Sequence, residues 1–172
     1  MTGTGFSERS YAIGGGAFAL TPLAPGDGHA LAAGFADIAP WRTLGFTADR
    51  LQGFIARDVA HQARYVVQRG TEAAGFVCID RDWLCGPYLH FLGVLPAHQG
   101  QGAGSAVLDW FLGEAQESGA RNAWVCVSDF NQEARQLYER HGFSNVAALD
   151  DLLVAGYGEI LMRKVLFVTG NT

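Results

Sequence analysis

Apolar residues along this chain recur with two different periods, and the switches between them outline its elements. Residues 17–23 read as a first strand, closed by Pro22 and Pro25. Asp27 stands at the N-cap of a helix running to about Asp37, which Pro40-Trp41-Arg42 interrupts. A second helix starts at Thr47-Ala48-Asp49, and Leu51, Phe54, Ile55, Asp58 and Val59 carry it on at helical spacing. Residues 64–69 and 73–80 alternate as strands around Gly70-Thr71-Glu72, which reads as a hairpin turn. A loop over 83–87 leads to an apolar strand over 88–95, ended by Pro96.

The strongest helical pattern lies over 102–118, where Val107, Leu108, Phe111, Leu112 and Ala115 form one apolar face. Gly119 closes that helix from the C-cap side. A strand over 121–128 and a short helix over 131–141, stopped by Gly142, follow. Residues 143–148 and 159–168 read as two last strands. This order predicts a mixed α/β domain: one main sheet with helices on its faces. The domain is expected over 17–168, with a Gly- and Ser-rich flexible lead-in over 1–16 and a short tail over 169–172.

Composition narrows the function classes. With 49% hydrophobic and 17% charged residues, the 172-residue chain has the balance of one globular domain. A net charge of −5 and the lack of any basic run argue against nucleic acid as a partner. No segment has the length and apolarity of a membrane span, and Met1 to Ser10 lacks a signal-peptide pattern. Cys78, Cys85 and Cys126 have neither the even count of a disulfide framework nor metal-ligand spacing, and the five histidines are scattered. A cytoplasmic protein without a metal is the expectation; the oligomeric state stays open, a homodimer included.

Candidate chemistry concentrates in Gln99-Gly100-Gln101-Gly102-Ala103-Gly104-Ser105, between an apolar strand and an amphipathic helix. Alternating glycines let the backbone turn tightly and admit a ligand closely. Several N–H groups then converge in front of the positive end of a helix, a setting for phosphate or pyrophosphate. A Walker A loop is excluded, because no Gly-Lys-Ser/Thr closes the segment. The spacing G-x-G-x-G also departs from the dinucleotide fingerprint G-x-G-x-x-G.

The segment resembles the acetyl-CoA pyrophosphate loop of the GNAT superfamily of N-acetyltransferases. The pattern Gln/Arg-x-x-Gly-x-Gly/Ala is met by Gln99, Gly102 and Gly104, after Val94-Leu95-Pro96. Downstream, Asn131-x-x-Ala134-x-x-Leu137-Tyr138-Glu139-x-x-Gly142-Phe143 looks like the family's next helix. The resemblance implies a mostly antiparallel, splayed sheet. In that sheet the strands over 88–95 and 121–128 run parallel and diverge. The pantetheine arm of acetyl-CoA is then expected to pair with the backbone of Leu92, Gly93 and Val94. Its phosphates fall to Gly100, Gln101, Gly102, Ala103, Gly104 and Ser105.

The activity implied is acetyl transfer to a primary amine of a small molecule or peptide. Tyr138 is the expected acid for the thiolate, the backbone N–H of Val94 the oxyanion donor, and Asn131 both a helix cap and a partner for the cofactor arm. Family members acting on protein N-termini often carry Glu twelve positions before this tyrosine; here that position holds Cys126. The base is therefore open, with His90 a candidate on its pKa and water an alternative. Trp41, Arg42 and Tyr88 are expected at the acceptor, with Trp83, Cys85 and Tyr157 as weaker candidates and residues 149–158 as a second wall. The competing reading is an acyl-CoA-binding regulatory module without turnover.

Overall fold

The computed structural model describes residues 5–166. Its eight strands are β1 (Tyr11–Ile13), β2 (Phe18–Pro22), β3 (Gln62–Arg69), β4 (Glu72–Trp83), β5 (Gly86–Val94), β6 (Asn122–Ser128), β7 (Ser144–Asp150) and β8 (Gly158–Val165). They form one sheet in the order β1-β2-β3-β4-β5-β6-β8-β7. Every pairing is antiparallel except β5 with β6. The helices are α1 (Gly28–Ala36), α2 (Ala48–Ile55), α3 (Ala103–Glu117) and α4 (Gln132–Arg140).

The alternation of side chains across each strand divides the core into two layers. On one face Val107, Leu108, Phe111 and Ala115 of α3 pack on Leu20, Val67, Val77, Ile79, Leu89 and Val125. Each fully buried Leu or Phe in such a layer contributes roughly 1.5–3 kcal/mol. On the other face Leu31, Phe35, Leu51 and Ile55 of α1 and α2 cover Val66, Phe76, Cys78 and Phe91. The fold class expected from the sequence, a mixed and mostly antiparallel sheet flanked by helices, is the one observed.

The loop expected over 83–87 shrinks to a turn at Leu84-Cys85, with Trp83 ending β4 and Gly86 opening β5, and two further boundaries differ from expectation. The lead-in is not loose from Phe6 onward. Phe6 is buried, its ring meets Trp110 edge-on at 5.4 Å, and residues 11–13 form β1. The physical reason is that two isolated aromatics, Phe6 and Tyr11, anchor the segment, whereas the Gly and Ser around them dominate its composition. Helix α2 ends at Ile55, short of Asp58 and Val59, where Arg64 reaches across to the carbonyls of Phe54 and Ile55 and satisfies the helix end. The tail over 169–172 lies outside the described residues.

What positions the site is the divergence of β5 and β6. They pair only at Tyr88↔Trp124 and Leu89↔Val125, although β5 continues to Val94 and β6 to Ser128. A bulge lies at the split, because Cys78 pairs with Phe91 and Ile79 with Leu89, so His90 has no partner. Leu89 and Leu92 therefore face the α3 layer, while Phe91 faces α1 and α2.

Candidate active site

The open edge of β5 follows from strand alternation. The N–H of Leu95 donates to the Ala74 carbonyl at 2.8 Å, so Leu95, Gly93 and Phe91 bond toward β4. The backbone groups of Leu92 and Val94 then point the other way, into the gap left by β6. The Val94 carbonyl already accepts from Gln99 Nε2 at 2.9 Å. An amide-bearing chain lying in this gap would find donors and an acceptor of matching spacing.

The turn after β5 presents a second set of donors. Gly100 and Gly102 hold φ of +69° and +87°, in the left-handed region that only glycine enters cheaply, and a Cβ on either would meet nothing within 4 Å. Space for a ligand therefore stands directly over the backbone. Helix α3 starts from Gly102 without a side-chain cap and with no acid in its first turn. The N–H groups of Ala103, Gly104 and Ser105 are left for an anion. Gln101 turns back to the Ala97 carbonyl at 3.1 Å. Ser105 Oγ lies 3.1 Å from His141 Nε2, and His141 Nδ1 lies 2.8 Å from the Leu137 carbonyl. A carbonyl only accepts, so Nδ1 carries a proton, and Nε2 lies between Ser105 Oγ and Asp109 Oδ1, the latter at 3.3 Å.

Between the split strands and α2 lies a cavity of about 370 Å³. Tyr138 enters it from α4 and is buried, with Phe143 edge-on at 6.0 Å. Among the described residues no group hydrogen-bonds the Tyr138 hydroxyl, and burial holds its pKa well above the usual phenol range. Asn131 caps α4, accepting from the Ala134 N–H at 3.3 Å, and also lines the cavity. Leu92 lines it, whereas Val94 does not. Tyr88, raised in pKa by burial, and His90, lowered by burial, stand on the same wall.

The acceptor side departs from expectation in part. Trp41 lines the cavity, stacked on Phe91 at 4.6 Å and 10°. Gly93 makes room for it, since a Cβ there would sit 2.8 Å from the Trp41 ring. Arg42 is exposed and does not line the cavity; Trp83, Cys85 and Tyr157 do not either. The wall expected over 149–158 supplies Leu152 and Leu153.

Three charged residues of the cavity were not expected: Arg50, Arg57 and Glu159. Glu159 is 4% exposed and accepts from Ser128 Oγ at 2.7 Å across the β6–β8 ladder. Burial pushes its carboxyl up, the Ser128 hydroxyl pulls it down, and the Asp129 carboxylate adds to the rise. A charge opening an otherwise apolar strand, Glu159-Ile160-Leu161-Met162, was the available signal. Cys126 has its thiol pushed up to about 11 by burial, so it is protonated at neutral pH.

The family model of the acetyltransferase (GNAT) family matches residues 31–143. No curated protein matches the chain. Among solved structures, a probable acetyltransferase (GNAT family) from Chromobacterium violaceum is similar with a TM-score of 0.73 and 24% identity, over 92% of this chain and 96% of that one. The ribosomal-protein-S18-alanine N-acetyltransferase of Escherichia coli gives 0.70 and 19%, over 90% and 97%. A spermidine N-acetyltransferase chimera from Vibrio cholerae gives 0.66 and 18%, over 87% and 95%. At these identities the likeness is one of fold.

Proposed function

The chain belongs to the GNAT family of acetyltransferases, and we propose that it transfers the acetyl group of acetyl-CoA to a primary amine by direct attack. The observation that carries this reading is the continuity of three features along one path. These are the uncapped turn over 100–105, the open edge at Leu92 and Val94, and the buried Tyr138 beyond it. Acetyl-CoA, when bound, supplies an activated thioester.

The chain's residues divide the remaining work. The N–H groups of the glycine turn and the first turn of α3 hold the pyrophosphate. The Leu92 carbonyl and the Val94 N–H pair with the amides of the arm, and the free side-chain N–H groups of Asn131 reach it from α4. We assign the oxyanion donor to the Leu92 N–H rather than that of Val94. Val94 sits beside the phosphate turn, whereas Leu92 shares the cavity with Tyr138. Two residues along a strand is roughly 6.6 Å, enough to decide which N–H meets the reacting carbonyl. Tyr138 protonates the departing thiolate; its raised pKa keeps the phenol protonated until then. The three thiols, all free, fit the reducing cytoplasm, where we place the protein.

The test is thiol release from acetyl-CoA with a panel of primary amines. Release that requires an amine and yields the N-acetyl product supports the reading. Tight CoA binding with no release across the panel would instead identify a binding module.

A further inference from the structure

We propose that Glu159, seated by Ser128, is the group that receives the acceptor's ammonium and takes its proton, and that the acceptor is a monocationic amine with an apolar body and an anionic far end. This rests on the acetyl-transfer reading above.

Glu159 is the single carboxylate lining the cavity among the described residues. The register places it on the same face of the sheet as Cys126 and Ser128, beside the split where Tyr138 enters. It is fixed there, not swinging: the Ser128 hydroxyl donates to Oε1 at 2.7 Å, leaving Oε2 for a ligand. A buried acid without a cationic partner costs stability, and among the described residues no ion pair reaches Glu159. An incoming ammonium would supply that partner.

The rest of the cavity says what the ammonium is attached to. Trp41, Phe54 and Phe91 make an aromatic wall, with Phe54 and Phe91 stacked at 5.6 Å and 27°. At the α2 end stand Arg50, over the Phe46 ring at 3.8 Å, and Arg57. Helix α2 covers β3 to β5, whereas Glu159 lies on β8, two strands past β5. At roughly 4.8 Å per strand, the acidic and basic ends are about 10 Å or more apart. A second ammonium on the substrate would face two arginines. A carboxylate there would be matched, and an N-terminal aromatic dipeptide has this layout.

The proton balance closes. The ammonium gives one proton to the Glu159 carboxylate, and the neutral nitrogen bonds to the thioester carbon. The C–S bond breaks, and its electron pair leaves on sulfur, which takes the Tyr138 proton. A second nitrogen proton restores Tyr138, and Glu159 releases its proton to water.

The experiment measures kcat/KM against pH with phenylalanyl-glycine, 2-phenylethylamine and spermidine, on wild type and the E159Q, E159D and S128A variants, with CoA affinity as the check on folding. The other titratable groups around Glu159 are Tyr88 on β5, Cys126 and Asp129 at β6, Tyr138 on α4 and Asp150 on β7; all are unchanged in the variants. Wild type is expected to prefer the dipeptide and to take spermidine poorly. Its rate should level off well below the amine's own pKa, because the ammonium is the species bound. E159Q should lose about 100-fold at neutral pH and keep rising with pH up to the amine's pKa, with CoA affinity within twofold. E159D should recover part of the loss and the plateau, and S128A should shift the plateau. An active wild type with E159Q within threefold and a parallel pH profile would overturn the role of Glu159. A preference for spermidine would overturn the acceptor class. No release by wild type with any amine would overturn acetyl transfer itself.

Discussion

Gln99 donates its side-chain amide to the Val94 carbonyl at 2.9 Å, which ties the glycine turn to the open strand edge beside it. The two halves of the proposed donor site are thereby held in one register. Replacing Gln99 by Glu puts an acceptor against an acceptor and adds a negative charge where phosphate is to sit. Losing the bond alone is worth about 1 kcal/mol, and the charge adds to it. CoA affinity, measured by titration calorimetry, should fall at least tenfold in Q99E and by about fivefold in Q99A. Equal affinity in both would show that this contact does not hold the turn.

Gly102 has φ of +87°, and a methyl group there would touch no protein atom within 4 Å. The cost of Gly102→Ala is therefore backbone strain, roughly 1–2 kcal/mol, with the new methyl standing in the ligand's space. A modest fall in Tm together with a larger fall in CoA affinity is expected. A fall in Tm alone would mean the space over the turn is not used.

The Tyr138 hydroxyl makes no hydrogen bond among the described residues, so Tyr138→Phe should leave Tm unchanged. As the acid for the thiolate its loss should cut turnover about 100-fold or more, with CoA affinity retained. Unchanged turnover with the true acceptor would remove Tyr138 from the chemistry. Ser105 is the contrasting case. Its hydroxyl is engaged by His141 Nε2 at 3.1 Å, so Ser105→Ala should leave CoA affinity within about twofold, while a large loss would mean the hydroxyl turns to the phosphate.

The turn and strand edge proposed to hold the donor were legible in the sequence because they are local. Gln99 to Ser105 is one continuous segment between a strand and a helix, and Tyr138 sits in a continuous motif behind it. The proposed acceptor half is assembled from β5, β6, β8, α2 and the turn before α2, so no spacing links Glu159 to Ser128 or either to Trp41. The sequence likewise does not separate Leu92 from Val94 as the proposed oxyanion donor. The choice depends on where the cavity ends relative to the open edge, which strand periodicity alone does not reveal. Arg42 was a fair candidate by composition, but Trp41 stacks inward on Phe91, and its neighbour is left exposed to solvent.

The raised carboxyl of Glu159 makes a prediction about stability as well as catalysis. A group whose folded pKa lies above its unfolded value binds more protons in the folded state. Stability from this group is fully present below the ordinary glutamate range and is lost as pH rises through the raised folded value. Above that value the folded protein carries a buried, unpaired charge. Glu159→Gln removes the charge and keeps an oxygen to accept from Ser128 Oγ. The variant should therefore melt at a higher temperature than wild type at pH 7 to 8. The gap should close as pH falls below the ordinary carboxylate range, where both side chains are neutral. Taking the difference between the two proteins cancels every other titrating group, so the sign can be read from paired melting curves. A variant less stable than wild type at neutral pH would mean that the folded protein already neutralises Glu159, and the acceptor's ammonium would not be needed to do so.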